Sequence, residues 1–312
     1  MSADVAGWAP LPLAEWSDTR DTLHMWMQIV GKTRLALAPM VNHWWQIPLY
    51  VSARGLTTSW MPHGTAGFSV EFDFIEHNLE IQCDDGRTWT MALAPRSVAD
   101  FYEAYTAGLR SLGIDVRIWP MPVEIADGIP FANDETHASY DSAAAHNFWR
   151  ALTQASRVLE IFRGRFIGKA SPVHFFWGSF DLACTRFNGA RAPQHPGGVP
   201  GLADWVTREA YSHACISAGW WPGAIGSPIE EPVFYAYSYP EPAGCPTAKI
   251  RPAAGYYHDV MHEWVLPYEA VRTAADPDAT ALDFFQSTYD AAATLGAWDR
   301  AALERDDFAR SK

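Results

Sequence analysis

The stretch Glu209, Tyr211, His213, Cys215 and Ser217 carries an acid, a phenol, an imidazole, a thiol and a hydroxyl at alternate positions. In an extended strand, side chains at i and i+2 project to the same side, so all five would share one face. An imidazole beside a carboxylate is the usual equipment for general acid–base chemistry near neutral pH. The plainer reading of His213 is a core histidine satisfied by backbone carbonyls or a tyrosine hydroxyl. A second run, FWGSFD, places Trp177, Ser179 and Asp181 on one strand face by the same alternation. Asp181 is set among apolar residues, where a carboxylate is costly to bury unless a donor meets it. Arg186 lies five positions on and faces away on a straight strand, so it reaches Asp181 only through a bulge or turn near Ala183. Gly219-Trp220-Trp221-Pro222-Gly223 is the expected lid, two indoles between glycines that can stack on an apolar or flat ligand, or else a hydrophobic plug. His213 would then be the acid–base group and Asp181 or Glu209 its carboxylate. Ser179 or Tyr211 would donate to the substrate, and Trp177, Trp220 and Trp221 would supply aromatic surface.

Metal and nucleotide chemistry find less support. His43 and His174 could meet one metal between two halves of the chain, but a lone histidine on an apolar face more often closes a strand end by hydrogen bonding. His258 and His262 have the i, i+4 spacing of a zincin helix, yet the flanking Tyr256-Tyr257 and Trp264-Val265-Leu266-Pro267 read as strand and turn. HPGGVPG at 195–201 lacks the phosphate-loop patterns, and no G-x-S-x-G elbow occurs. No metal site and no organic cofactor are therefore expected.

The elements that must position these residues follow one plan used twice. Asp100-Phe101-Tyr102 with Leu112-Gly113 recurs as Asp283-Phe284-Phe285 with Leu295-Gly296 at a constant offset of 183, in helices capped by Ser97 and Thr280 and stopped by Gly113 and Gly296. His43-Trp44-Trp45 through Pro62 recurs as His174-Phe175-Phe176 through Pro193 at an offset of 131, both read as strands. Amphipathic helices precede them near 18–32 and 141–166. Further strands are expected at 67–75, 77–83 and 88–93, the last two joined by Asp84-Asp85-Gly86, and at 209–217, 232–239 and 262–266. The fold class is α+β, with two pseudo-symmetric halves, each an antiparallel sheet flanked by helices. The first half is residues 1–119, a Pro-, Gly- and acid-rich linker covers 120–140, and the second half, 141–312, carries the site.

From about Trp8 to Arg300 the chain resembles an uncharacterised bacterial protein family of unknown function. The stretches that carry the resemblance are HFFWGSFDLACTRFNGARAP (174–193), NHWWQIPLYVSARGLTTS (42–59), REAYSHACISAGWWPG (208–223) and QSTYDAAATLGAWDR (286–300). The resemblance implies no activity, cofactor or catalytic residue.

Composition narrows the class of partner. With 36 acidic against 23 basic residues the net charge is −13, and no basic stripe offsets it, so nucleic acid and anionic membrane surfaces are excluded as partners. No window holds the roughly 18 apolar residues a membrane span needs, and no leader pattern opens the chain. Four cysteines without C-x-x-C spacing suit reduced thiols in the cytoplasm. Fifteen Trp, 12 Tyr and 16 Phe suit a core and a ligand pocket alike. The expectation is a cytoplasmic enzyme acting on a small molecule by acid–base chemistry in an aromatic-lined pocket. The alternative is a protein that binds or senses a small ligand without turnover, and the oligomeric state is left open.

Overall fold

Asp84-Asp85-Gly86 makes the expected tight turn, with Gly86 at φ +87° closing the hairpin between β5 (Asn78–Cys83) and β6 (Thr88–Ala92). A computed structural model of the chain describes residues 7–305. The first half opens with α1 (Ser17–Leu37) and continues through β1 (Tyr50–Val51), β2 (Gly55–Thr57), β3 (Met61–His63) and β4 (Ala66–Asp73) to β5 and β6. These six strands form one antiparallel sheet in the order β1-β2-β4-β5-β6, with β3 also on β4, and α2 (Val98–Ser111) follows. Ser97 caps α2 as expected, its hydroxyl accepting from the Asp100 amide at 3.1 Å.

The second half repeats the plan of helix, six-stranded antiparallel sheet, helix. Its elements are α3 (Ser142–Gly164), β7 (His174–Phe176), β8 (Asp181–Arg191), α4 (Asp204–Ala210), β9 (His213–Trp221), β10 (Val233–Tyr239), β11 (Tyr256–His258), β12 (Glu263–Pro267), α5 (Tyr268–Arg272), α6 (Pro277–Leu295) and α7 (Arg300–Leu303). The sheet order is β11-β12-β10-β9-β8-β7. The fold is thus α+β with two sheet-bearing halves, and the sheets meet edge to edge where Leu49 and Phe175 exchange two backbone hydrogen bonds of 2.9 Å.

The pairing expected from the offset of 131 does not hold, whereas Asp100 and Asp283, paired by the offset of 183, both lie in the long helix that follows their sheet. His43 sits in a 3-10 turn at φ +59°, whereas His174 begins a strand. The His43 segment has the alternation of a strand, but its backbone is tied into the turn at Asn42–Trp44, and only Tyr50–Val51 pairs as β1. Thr280 does not cap α6. Asp276 does, accepting from the Ala279 amide at 3.0 Å with Pro277 at the first helical position.

α1 is buried on nearly every side, where its sequence suggested one apolar stripe. His24 Nε2 bonds the Gly178 carbonyl at 2.8 Å, and Gln28 clamps the backbone of Val123 through bonds of 2.8 and 2.9 Å. The helix lies between the halves, so its polar residues meet backbone instead of water. The segment 120–140 has no regular structure beyond a 3-10 turn at Phe131–Asn133, yet Val123 and Glu124 pack against α1 and Gly178. Among the described residues no helix is long and apolar enough to cross a membrane.

Candidate functional site

In the second sheet, alternation assigns each side chain to one of two faces. Leu182, Cys184, Arg186, Ile216, Ala218, Trp220, Phe234, Ala236, Trp264 and Leu266 share the face packed on α3 and α6, where Trp220 meets Phe148 and Phe234 meets Phe285. The register places Asp181, Ala183, Thr185, Ser217, Gly219, Trp221, Tyr235, Tyr237 and Glu263 on the other face. Two cross-strand rows run through it, Ala183–Gly219–Tyr235 and Thr185–Ser217–Tyr237.

Asp181 lies at the floor of this face, 8% exposed, and so does Tyr235 at 8%. Ser179 donates to Asp181 Oδ1 and the Tyr235 phenol donates to Oδ2. Tyr235 reaches across β9 because Gly219 leaves the space: a Cβ there would overlap the Tyr235 hydroxyl and the Leu182 carbonyl oxygen. Both carboxyl oxygens accept, which suits an ionised Asp181, although burial pulls its pKa upward against these bonds. Trp221 flanks the site and donates to the Ser179 carbonyl at 3.1 Å. The Tyr211 and Tyr237 hydroxyls pair at 2.9 Å above Ser217, and His195 stacks on Tyr211 with 4.9 Å between ring centres.

Two more carboxyls feel the charge of Asp181. Burial, with the charge of Asp181 adding to it, pushes Glu124 up to about 7 and Glu263 up to about 8. Neither has a cation or a hydrogen-bond donor among the groups that shift it. Glu124 arrives from the segment between the halves and stands over Gly178, where any side chain would overlap its Oε1. Glu263 comes from β12, in line with Tyr237. Glu124, Glu263, Tyr211, Tyr237 and Trp221 are half-exposed around the buried Asp181 and Tyr235, which describes a recess with a wet rim and a dry floor.

Of the residues singled out in the sequence, the structure brings together Asp181, Ser179, Tyr211 and Trp221. It does so by other means than a shared strand. Trp177 and Ser179 lie in the turn between β7 and β8, and Tyr211 is the C-cap of α4. Trp177 leaves the recess, packing over Gly31 with Lys32 Nζ 5.6 Å from its ring centre and donating to the Ile47 carbonyl at 2.9 Å. Trp220 is no lid. It lies inside β9 and points into the core, fully buried.

His213 and Glu209 do not join Asp181. His213 shares its face parity but begins β9, whereas Trp221, beside Asp181, ends it, a separation of roughly 26 Å along the strand. Glu209 is helical in α4, and its Oε1 accepts from the His43 amide at 3.1 Å. A separate cluster forms at that end: His43 Nδ1 bonds the Ala210 carbonyl at 3.0 Å, its Nε2 bonds Lys169 Nζ at 2.9 Å, and its ring lies 5.6 Å from that of His213. Arg186 cannot meet Asp181 because it faces the other way, 3.5 Å from the Phe162 ring centre. His258 and His262 flank the β11–β12 hairpin turn. Among the described residues no three His, Cys, Asp or Glu side chains are grouped to hold a metal. Two clefts, of about 360 and 460 Å³, border α6 and do not reach Asp181.

Sequence reasoning missed Tyr235, Tyr237, Glu124 and Glu263. The run FYAYSY at 234–239 carried a signal, tyrosines at every second position of an expected strand. Glu124 carried none, because only the path of an irregular segment brings it to the sheet.

Searches of the curated proteins and of the solved structures found no match. Residues 8–305 match the family of unknown function DUF5996, and the chain belongs to that family.

Proposed function

We propose that this protein is an enzyme that moves protons on a small molecule held in the Asp181 recess, using carboxyl and phenol groups without an organic cofactor. The observation that carries this reading is the set of three carboxyls around one recess with no cation to balance them. Carboxyls whose surroundings separate their proton affinities are the usual way one site holds an acid and a base at the same pH. Asp181 is fixed by Ser179 and Tyr235, and its carboxyl adds to the burial that makes ionisation of the two glutamates costly. Glu124, raised to about 7, exchanges its proton near neutrality and serves as the base, while Glu263, raised to about 8, keeps its proton and serves as the acid. Tyr211, Tyr237 and Trp221 give the substrate an amphipathic wall.

A net charge of −13 supports a small-molecule partner over nucleic acid or an anionic membrane, and four free cysteines suit the cytoplasm. The test is turnover of a defined panel of small polar metabolites followed by mass spectrometry, with the wild type beside Asp181→Asn and Glu263→Gln. Conversion of one compound, with a bell-shaped pH profile and a loss of about 10²-fold or more in either variant, supports the reading. Binding without conversion would make the protein a ligand sensor, and a panel that neither binds nor reacts would sink both readings.

A further inference from the structure

Arg34, near the end of α1, is 8% exposed, hydrogen-bonds the Tyr50 side chain and has no carboxylate partner among the described residues. Its Nη1 donates to the Thr58 carbonyl and, at 3.1 Å, to Ser59 Oγ, and its guanidinium carbon lies 5.6 Å from the Tyr50 ring centre. Its Nε donates to nothing. On the other side of Tyr50 lies His174, 1% exposed, and neither of its ring nitrogens has a partner. The imidazole stands edge-on to Tyr50, Phe176 and Trp45, with 5.6, 5.5 and 5.9 Å between ring centres. Arg163, the other cation acting on His174, is already engaged with the Ser171 carbonyl at 2.7 Å and with Glu160 at 3.3 Å.

A buried guanidinium without a counter-charge is costly, and so is a buried polar nitrogen left without a partner. Here two such groups, from α1 and β7, flank one phenol. Burial and the nearby guanidinium groups lower the His174 pKa to about 3, so its ring is neutral and offers one N–H. Trp45, Tyr50 and Phe176 beside it are half-exposed.

We propose that Arg34, His174 and Tyr50 form a binding site for a small oxyanion, a carboxylate or phosphate group. The free Arg34 Nε–H, the His174 N–H and the Tyr50 hydroxyl are its donors. The guanidinium supplies the charge and its planar fork suits either group. This site does not depend on the acid–base reading of the Asp181 recess, since its ligands belong to a different set of side chains.

The experiment titrates inorganic phosphate and, separately, acetate into the ¹⁵N-labelled protein at pH 7, with sodium chloride at matched ionic strength as control. The readouts are the Arg34 Nε–H resonance, the His174 ring nitrogens and the thermal midpoint. A saturable shift of these signals and a raised midpoint are expected, with affinity falling at least about tenfold in Arg34→Met and His174→Phe, the size of one lost charge-assisted hydrogen bond. Arg34→Lys keeps the charge and retains part of the response, which separates lost binding from lost folding. Saturation by phosphate alone or by acetate alone identifies the group. If neither ion gives a saturable change, or chloride or the folded variants give the same one, water alone meets Arg34 and His174 and the proposal fails.

Discussion

Asp181 shows how a carboxyl is held deep in a protein without a cation. Two hydroxyls meet its oxygens, and burial, with Asp181 adding to it, raises Glu124 and Glu263 so that they hold their protons to higher pH than in water. A consequence for stability follows from the sign of each shift. Glu124 and Glu263 have folded pKa values of about 7 and 8, above the unfolded carboxyl value of about 4.3, so the folded state binds these protons more tightly. The stability they contribute is complete below the unfolded value and is lost as the pH rises through 7 and 8. His24 and His174, held near 3, act in the opposite sense: their contribution is present above about 6.5 and is lost as the pH falls toward 3. The thermal midpoint should therefore be highest on a plateau between about pH 4.3 and 6.5, where the two opposite trends offset each other, and decline on either side of it. Glu263→Gln, which cannot ionise, should flatten the alkaline decline and raise the midpoint at pH 9 by roughly 2–4 °C for each kcal/mol recovered. An alkaline limb identical in wild type and variant would show that Glu263 titrates normally.

Among the elements, the β7–β8 turn and the centre of β9 decide whether the recess exists. Both depend on a glycine, for different reasons. At Gly219 a methyl group would overlap the Leu182 carbonyl oxygen, which belongs to the neighbouring strand and cannot yield, as well as the Tyr235 hydroxyl. At Gly178 it would meet only the end of the Glu124 side chain, which can swing away. Gly219→Ala should accordingly destabilise the fold by about 1–3 kcal/mol, the usual cost of overpacking, and break the Tyr235–Asp181 bond. Gly178→Ala should leave stability within about 0.5 kcal/mol, because only the flexible end of the Glu124 side chain has to give way, and return the Glu124 pKa toward the ordinary carboxylate range. Urea unfolding together with carboxyl ¹³C titration checks both, and equal destabilisation by the two substitutions would contradict the geometry. Tyr235→Phe would separate the phenol's hydrogen bond from its bulk.

At the scale of the whole molecule, the two sheets behave as parts of one body. Buried residues of both halves belong to one continuous cluster, from Trp8 and Leu23 through Phe72 and Phe101 to Phe175, Phe234 and Phe285. α1 is bonded to Gly178 in the second half and to Val123 between the halves, and Leu49 pairs with Phe175 across the sheet edges. Calorimetry should show one cooperative transition with equal calorimetric and van't Hoff enthalpies. The fragments 1–140 and 141–312, made separately, should lack it, because each exposes a face that the other covers. Two resolved transitions, or a fragment that melts cooperatively alone, would show that the halves fold independently.

Local signals in the chain fixed the elements whose cause is local. Asp84-Asp85-Gly86 demanded a hairpin turn, Ser97 with Asp100 a helix start, and alternation in 67–75 and 232–239 gave strands, so the α+β class and the two-sheet plan were legible. Asp181, Ser179, Tyr211 and Trp221 stood out because polar groups among aromatics need partners. The partners themselves were not legible, since a hydrogen bond from Tyr235 to Asp181 joins residues 54 positions apart and depends on strand order. The same limit misplaced His213 and Trp220. Alternation says which side chains share a face, but which face meets the helices, and how far apart two residues lie along a strand pair, is decided only when β8 and β9 take their register. Glu124 marks the end of what sequence can do here, a carboxyl from an irregular segment whose role is set wholly by what the folded chain packs beneath it.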